Sequence, residues 1–307
     1  SLNMMRNKVL YIYLFFIGLL SCKNDVEIIN DNDAPYYGEI PTLLLENYVN
    51  RLYIDLLGRE PFDIEMENDV QFLKDKDITL ESRGDLIIKL QSDTSFIEGD
   101  SSYKFAYYHR MYDMIKVRLI EGASNNYIES QLGNHYSAYL VDSVNGNMLD
   151  ANKKLVNYHK LNNVLISELQ YYNGFIEINE MHRRMIFNSV YDNINMNTFN
   201  FINAAFDNLL FRYPTQYEFD EVYKIIEDNT AQIVLGGSVN NKGDFTHLIC
   251  NTKEFYEGTI VWCFGTLLAR NPTTQETTVL METYFVDKDF QKMQRAIMKT
   301  DEYAHFN

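Results

Sequence analysis

The chain has 307 residues, 46% of them hydrophobic, which is enough for one large or two modest domains with a real core and too apolar for a disordered chain. Its net charge of −16 argues against nucleic acid or an anionic lipid surface as the main partner, since both require a basic patch.

Ser1-Leu2-Asn3 stand ahead of Met4 and Met5, where a leader is expected to start. Arg6 and Lys8 flank an apolar run from Val9 to Leu20, too short to span a bilayer, which closes on Leu19-Leu20-Ser21-Cys22. This order resembles the lipobox of bacterial lipoproteins. The resemblance implies that residues 1–21 are a lipoprotein signal peptide and that cleavage leaves Cys22 as a diacylglycerol-modified N-terminus. The membrane is then a partner through Cys22, and the location is the cell envelope, at the outer membrane. An ordinary secretory leader or a short anchor helix is the competing reading. Residues 22–40 are polar, acidic and without a periodic stripe, so they read as a flexible tether. Their acidic character resembles the export signals of Bacteroidota surface lipoproteins and equally fits a plain linker. Asp25, Asp31 and Asp33 lack the glycine turn and closing glutamate of a calcium loop.

The folded part is expected to be all-α, with three helical repeat units: unit 1 at 41–102, a helical insertion at 103–198, and units 2 and 3 at 199–307. The repeat rests on Leu56–Pro61, Leu209–Pro214 and Leu267–Pro272, each of the form Leu-Leu-x-Arg-x-Pro. Upstream, Val49/Ile202/Ile260, Leu52/Ala205/Cys263, Tyr53/Phe206/Phe264 and Leu56/Leu209/Leu267 align at i, i+3/i+4, i+7, the buried stripe of a helix. Proline stops that helix. Thr215–Glu218 and Thr273–Glu276 then spell a capping box for a second helix, and Phe62 replaces the threonine in the first unit. A third helix ends each unit in the phrases Leu90–Phe96, Ile249–Phe255 and Ile297–Tyr303, with Ser92 and Asn251 as expected caps of the next helix in each case.

Arg59, Arg212 and Arg270 are the most regular charged residues, and each has a glutamate six positions on: Glu65, Glu218 and Glu276. The spacing predicts a structural corner, with each guanidinium bridging its own helix's last carbonyls and that carboxylate. Loss of one arginine is expected to cost about 1–3 kcal/mol. Gly58 stands where Phe211 and Ala269 stand in the other units, so it is expected to be helical, because those residues disfavour positive φ.

The middle predicts helices over 103–120, 127–144, 150–170 and 178–194. No alternation bounded by hairpin turns predicts a sheet, and 236–241 reads as a loop without a phosphate-binding ending. The 23 tyrosines cluster. Tyr103, Tyr107, Tyr136 and Tyr139 are candidates for an aromatic patch that would meet a glycan or a protein. Pairs such as 108/112 and 136/139 fit core packing on one helix face better.

The Leu-Gly-Arg-x-Pro unit resembles helical domains of bacterial envelope proteins, best over Tyr48–Phe96. It implies an all-helical fold. Some such proteins carry cytochrome-like modules, but Cys-x-x-Cys-His is missing here, so no haem is carried over. The six histidines have no metal-ligand spacing, and no nucleophile elbow occurs, so no cofactor is expected. Cys250 and Cys263 read as buried thiols or as a disulfide that an oxidising envelope would permit. The leading expectation is a non-enzymatic envelope scaffold that binds a protein partner or a glycan. The rival is an envelope hydrolase using carboxylates of the middle helices.

Overall fold

The computed structural model describes Ile40 to Phe306; Cys22 and the expected leader and tether, up to residue 39, lie outside the described residues. The described chain is all-α, with fifteen helices and one two-stranded hairpin.

Helix α1 (Thr42–Leu57) shows why these segments are helical. Leu45, Tyr48, Val49, Leu52, Tyr53 and Leu56 are buried, so apolar groups recur once per turn on one face. Burying each large side chain contributes about 1.5–3 kcal/mol. Helix α2 (Asp63–Asp75) and helix α3 (Leu80–Ser92) come next, the latter capped by Thr79 on the Ser82 N–H. The first unit does not end as the sequence phrases suggest. Ser92 is inside α3, Phe96 is 78% exposed, and an irregular stretch runs to the next cap, Ser102. In the later phrases the caps are Thr252, not the expected Asn251, and Thr300. A threonine hydroxyl one residue further on reaches the N3 amide in each case.

Helix α4 (Tyr103–Ile120) packs on α1 and α3, so the middle region begins inside the core of the first unit. Helices α5 (Asn125–Val144) and α6 (Met148–Tyr172) form a long hairpin. Its far end carries exposed Val141, Val144, Met148 and Leu149, and α5 buries only Ile128 and Leu132. The expected helix over 178–194 is two helices, α7 (Ile178–Ile186) and α8 (Ser189–Asn195). Asn188 breaks it, because its side-chain oxygen accepts from the N–H groups of Val190 and Tyr191.

Helices α9 (Thr198–Leu210), α10 (Gln216–Glu227) and α11 (Lys242–Ile249) follow, over the span where the sequence suggested a second unit. Between α10 and α11 lies an antiparallel hairpin, β1 (Gln232–Val234) and β2 (Gly237–Val239), where the sequence suggested a loop and no sheet. Leu235 and Gly236 both have positive φ, 50° and 78°, the two-residue turn that suits a hairpin twist. Helix α12 (Lys253–Leu268) crosses α9 at close range. A Cβ at Gly258 would stand 2.2 Å from the Leu209 carbonyl oxygen, so only glycine fits that crossing. Helices α13 (Thr274–Asp287), α14 (Phe290–Met298) and α15 (Asp301–Ala304) complete the chain.

The last helices close onto the first. The Tyr303 hydroxyl donates to Asp55 at 2.7 Å, Arg51 donates to the Tyr303 carbonyl at 2.7 Å, and Tyr48 donates to the Met298 carbonyl at 3.2 Å. Gln294 on α14 accepts from Tyr107 at 2.9 Å and from Gln91 of α3 at 3.3 Å. The first three bonds join residues nearly the whole described chain apart, and those of Gln294 tie α3 and α4 into the same closure.

Candidate functional site

The three arginines recur with one hydrogen-bond pattern. Arg59 meets Glu65 with two bonds of 2.7 and 2.9 Å, Arg212 meets Glu218 with two of 2.8 Å, and Arg270 meets Glu276 with bonds of 2.9 and 2.7 Å. Each glutamate also accepts from the backbone N–H that opens its own helix, at Phe62, Thr215 and Thr273. The arginines do not reach the last carbonyls of their own helices. They donate to the next residue's carbonyl, at Glu60, Tyr213 and Asn271. The remaining guanidinium edge takes a second carboxylate that the sequence pattern does not reveal: Asp100, Glu254 and Glu302. These carboxylates sit at or just before the start of the helix that succeeds each unit, 41, 42 and 32 residues away.

Gly58 is left-handed, with φ 76° and ψ 14°, against the expectation of a helical residue. The counterparts do the same, Phe211 at φ 55° and Ala269 at φ 54°. The three helices therefore end alike, and two of them do so with side chains that disfavour it. Leaving the helix through this conformation satisfies a terminal carbonyl, Ile54 or Asp207, and places the arginine across the corner. The guanidinium's bonds offset a backbone penalty of about 1–2 kcal/mol.

Burial and charge act on these carboxylates in opposite senses. At Glu65 burial pushes the pKa up, but Arg59, the Phe62 N–H and the Tyr103 O–H outweigh it and hold the group below the usual range. At Glu276 the Arg270 bond dominates and lowers the pKa to about 2. These pairs position helices, and their donors and acceptors are already used.

Two of the candidate patch tyrosines are not at the surface. Tyr103 is 4% and Tyr107 0% exposed. Tyr103 donates to Glu65 at 2.7 Å and accepts from Tyr53 at 3.2 Å, while Tyr53 also reaches Asp69 at 2.8 Å. Tyr136 and Tyr139 do lie near the surface, with ring centroids 5.9 Å apart, and Tyr158 joins them at 5.7 Å from Tyr136. The four residues thus fall into separate places and form no single patch.

A different aromatic group lines a concavity. Between α4 and α6, Phe105, Tyr108, Leu165, Glu168, Leu169 and Tyr172 enclose about 160 Å³. Tyr172 stands 5.7 Å from Tyr108 and 6.2 Å from Phe105, both edge-on. His109 stacks on Phe105 and meets Glu168 at 2.9 Å and Asp113 at 3.4 Å. Lys104 lies 4.4 Å from the Tyr172 ring centre. The site thus offers flat apolar faces together with a carboxylate, an imidazole and an ammonium group. The clusters 103–108 and 171–172 are visible in sequence, but their meeting across an antiparallel hairpin is not.

The described residues contain no group of three metal-ligating side chains. Cys250 and Cys263 are buried and free, so they form no disulfide, and burial pushes the Cys263 thiol up to about 12. His182 is buried between Phe255 and Trp262, and burial pushes its pKa down to about 3. Comparison with known proteins assigns the chain to no family: no family model matches it, and neither a curated protein nor a solved structure does.

Proposed function

We propose that the protein is an envelope lipoprotein anchored through Cys22, whose helical body is a non-enzymatic scaffold that binds a glycan in the α4–α6 pocket. The observation that carries this reading is the pairing of exposed Phe105 and half-buried Tyr108 and Tyr172 with Glu168 in about 160 Å³, a space suited to one sugar ring rather than to a protein surface. Apolar sugar faces pack on Phe105 and Tyr172, while Glu168 accepts from hydroxyls and Lys104 donates to them. The anchor rests on the lipobox order at Leu19–Cys22.

Two experiments test it. A glycan array, then calorimetry with its best oligosaccharide, should show binding that Phe105→Ala and Tyr172→Ala weaken about tenfold or more, near 1.4 kcal/mol. Tyr136→Ala should leave it unchanged. Equal binding by all four proteins, or no retained glycan, would reject the site. Cys22→Ala should abolish fatty-acid labelling and release the chain from membranes, and persistent labelling would reject the anchor.

His109 held between Glu168 and Asp113 favours a second reading, a glycan hydrolase. Cleavage of the bound oligosaccharide by the wild type, lost in Glu168→Gln with binding retained, would replace the scaffold reading by this one.

A further inference from the structure

Where the closure of the chain brings α1, α4, α12 and α14 together, they leave a second cavity of about 240 Å³. One wall is apolar: Met111, Trp262 and Phe290, all buried. Opposite them lie Asp55, Arg110 and Gln294. Thr266, an exposed residue of the lining, marks the side open to solvent.

The polar groups are not equally satisfied. Asp55 accepts from the Tyr303 hydroxyl at 2.7 Å and sits 3.7 Å from Arg51, both at its Oδ2. The Gln294 side-chain oxygen accepts from Tyr107 and Gln91, which turns its amide nitrogen into the group left to donate. Arg110 is different. Its Nε is buried with no hydrogen-bond partner, and Asp55 directs its Oδ2 to Tyr303 and Arg51 instead. A guanidinium always carries its charge, so it cannot escape by losing a proton. An arginine with an unpaired Nε and a free amide donor therefore border a cavity whose opposite wall is apolar.

We propose that this cavity binds a small monocarboxylate, its carboxylate on Arg110 and the Gln294 amide and its short apolar chain against Met111, Trp262 and Phe290. A single carboxylate matches one guanidinium. A phosphate dianion would bring more negative charge than one arginine beside Asp55 can offset. At about 30 Å³ per water-sized group, the space takes about eight such groups, roughly the size of hexanoate. The site is separate from the α4–α6 pocket and does not depend on the glycan reading.

Calorimetric titration of the full chain with hexanoate, hexylamine and hexanol tests it. Hexanoate should bind, and hexylamine and hexanol should bind at least tenfold more weakly. That comparison on the wild type decides the charge preference even where a variant fails to fold. Arg110→Gln should weaken hexanoate at least tenfold, and Phe105→Ala, in the other pocket, should leave it unchanged. No binding of hexanoate, equal binding of hexylamine or hexanol, or undiminished binding by folded Arg110→Gln would each overturn the proposal.

Discussion

Arg59 and Arg270 make the same bonds to the next carbonyl and to the glutamate six residues on, but the carboxylates they hold are more buried at the first corner than at the third. Glu65 is 7% exposed and Glu276 34%; the second carboxylates, Asp100 and Glu302, are 20% and 45% exposed. The surroundings differ in kind as well. Tyr53 and Asp69 line the first corner where the third has Phe264 and Leu280, at matching distances from the proline. The first corner is therefore part of a buried polar network that includes Tyr103 and Lys89. The third instead borders an apolar hollow of about 300 Å³ between Phe264, Val279, Leu280 and Ile297. Local chain geometry fixes the bonds; the neighbours fix what they contribute.

The largest expected effect comes from that difference. Arg59→Ala leaves Glu65 buried and unpaired, and removing one partner of a buried pair costs about 3–5 kcal/mol. Arg270→Ala removes a pair that water already screens and should cost about 1 kcal/mol or less. Urea unfolding of both variants measures the gap. Equal losses would show that the corners act independently of their surroundings.

A second test converts one corner's lining toward the other's. Asp69→Ala should cost about 1–3 kcal/mol, because it leaves the buried Tyr53 hydroxyl only the longer bond to Tyr103, whereas Lys89, about a third exposed, can turn to water. Tyr53→Phe with Asp69→Val, which copies the pair Phe206 and Val222 of the second unit, should cost less than Asp69→Ala alone. Additive losses would mean that the polar lining contributes stability directly.

Acid should separate the corners from the core. The unfolded Glu276 titrates at 4.5 and the folded group at about 2, so its stabilisation is present above 4.5 and lost as the pH falls toward 2. Glu65 is shifted in the same direction. His182 acts earlier. Unfolded, it takes a proton near 6.5, and folded only near 3, so the unfolded state binds more protons between these values and stability falls as the pH drops through them. His182→Phe should flatten the pH dependence above 4.5, where the slope from one group is at most about 1.4 kcal/mol per unit. Between 4.5 and 3 it should remove the imidazole's share of the slope and leave that of the carboxylates. A parallel shift of the whole curve would assign the acid sensitivity elsewhere.

The features legible in the sequence were local ones. Val49, Leu52, Tyr53 and Leu56 are all buried as their spacing suggested, and Arg and Glu six residues apart meet because a short corner leaves them little choice. Asp100, Glu254 and Glu302 were illegible because only the third helix of each unit returns them to the arginine. The pockets were hidden for the same reason. Phe105 and Tyr172 face each other only because α5 and α6 turn back, and Asp55 and Arg110 meet Phe290 and Gln294 around one cavity only because α14 closes onto the start of the chain. The error at Gly58 was of another kind. Residue preference was read as a constraint on the backbone, whereas at Phe211 and Ala269 the tertiary bonds of the arginine override it.

That override sets the smallest effect. Gly58 and Ala269 hold equivalent left-handed positions, at φ 76° and 54°. A side chain there costs about 1–2 kcal/mol, and glycine gives back part of this through the greater freedom of its unfolded chain. Ala269→Gly should therefore stabilise by about 0.5–1 kcal/mol. Gly58→Ala should destabilise by about 1 kcal/mol, with a small addition because the new Cβ would stand 3.2 Å from Cδ of Arg110. That atom belongs to a flexible side chain, which can shift by a few tenths of an ångström. Phe211→Gly is the poorer probe, since Arg118 stacks 4.5 Å from its ring centre and that contact would be lost too. Urea unfolding of Gly58→Ala and Ala269→Gly, read as a pair, isolates the backbone contribution. Changes of the same sign in both would mean that the side chain at this position, and not the left-handed turn, governs how the corner holds.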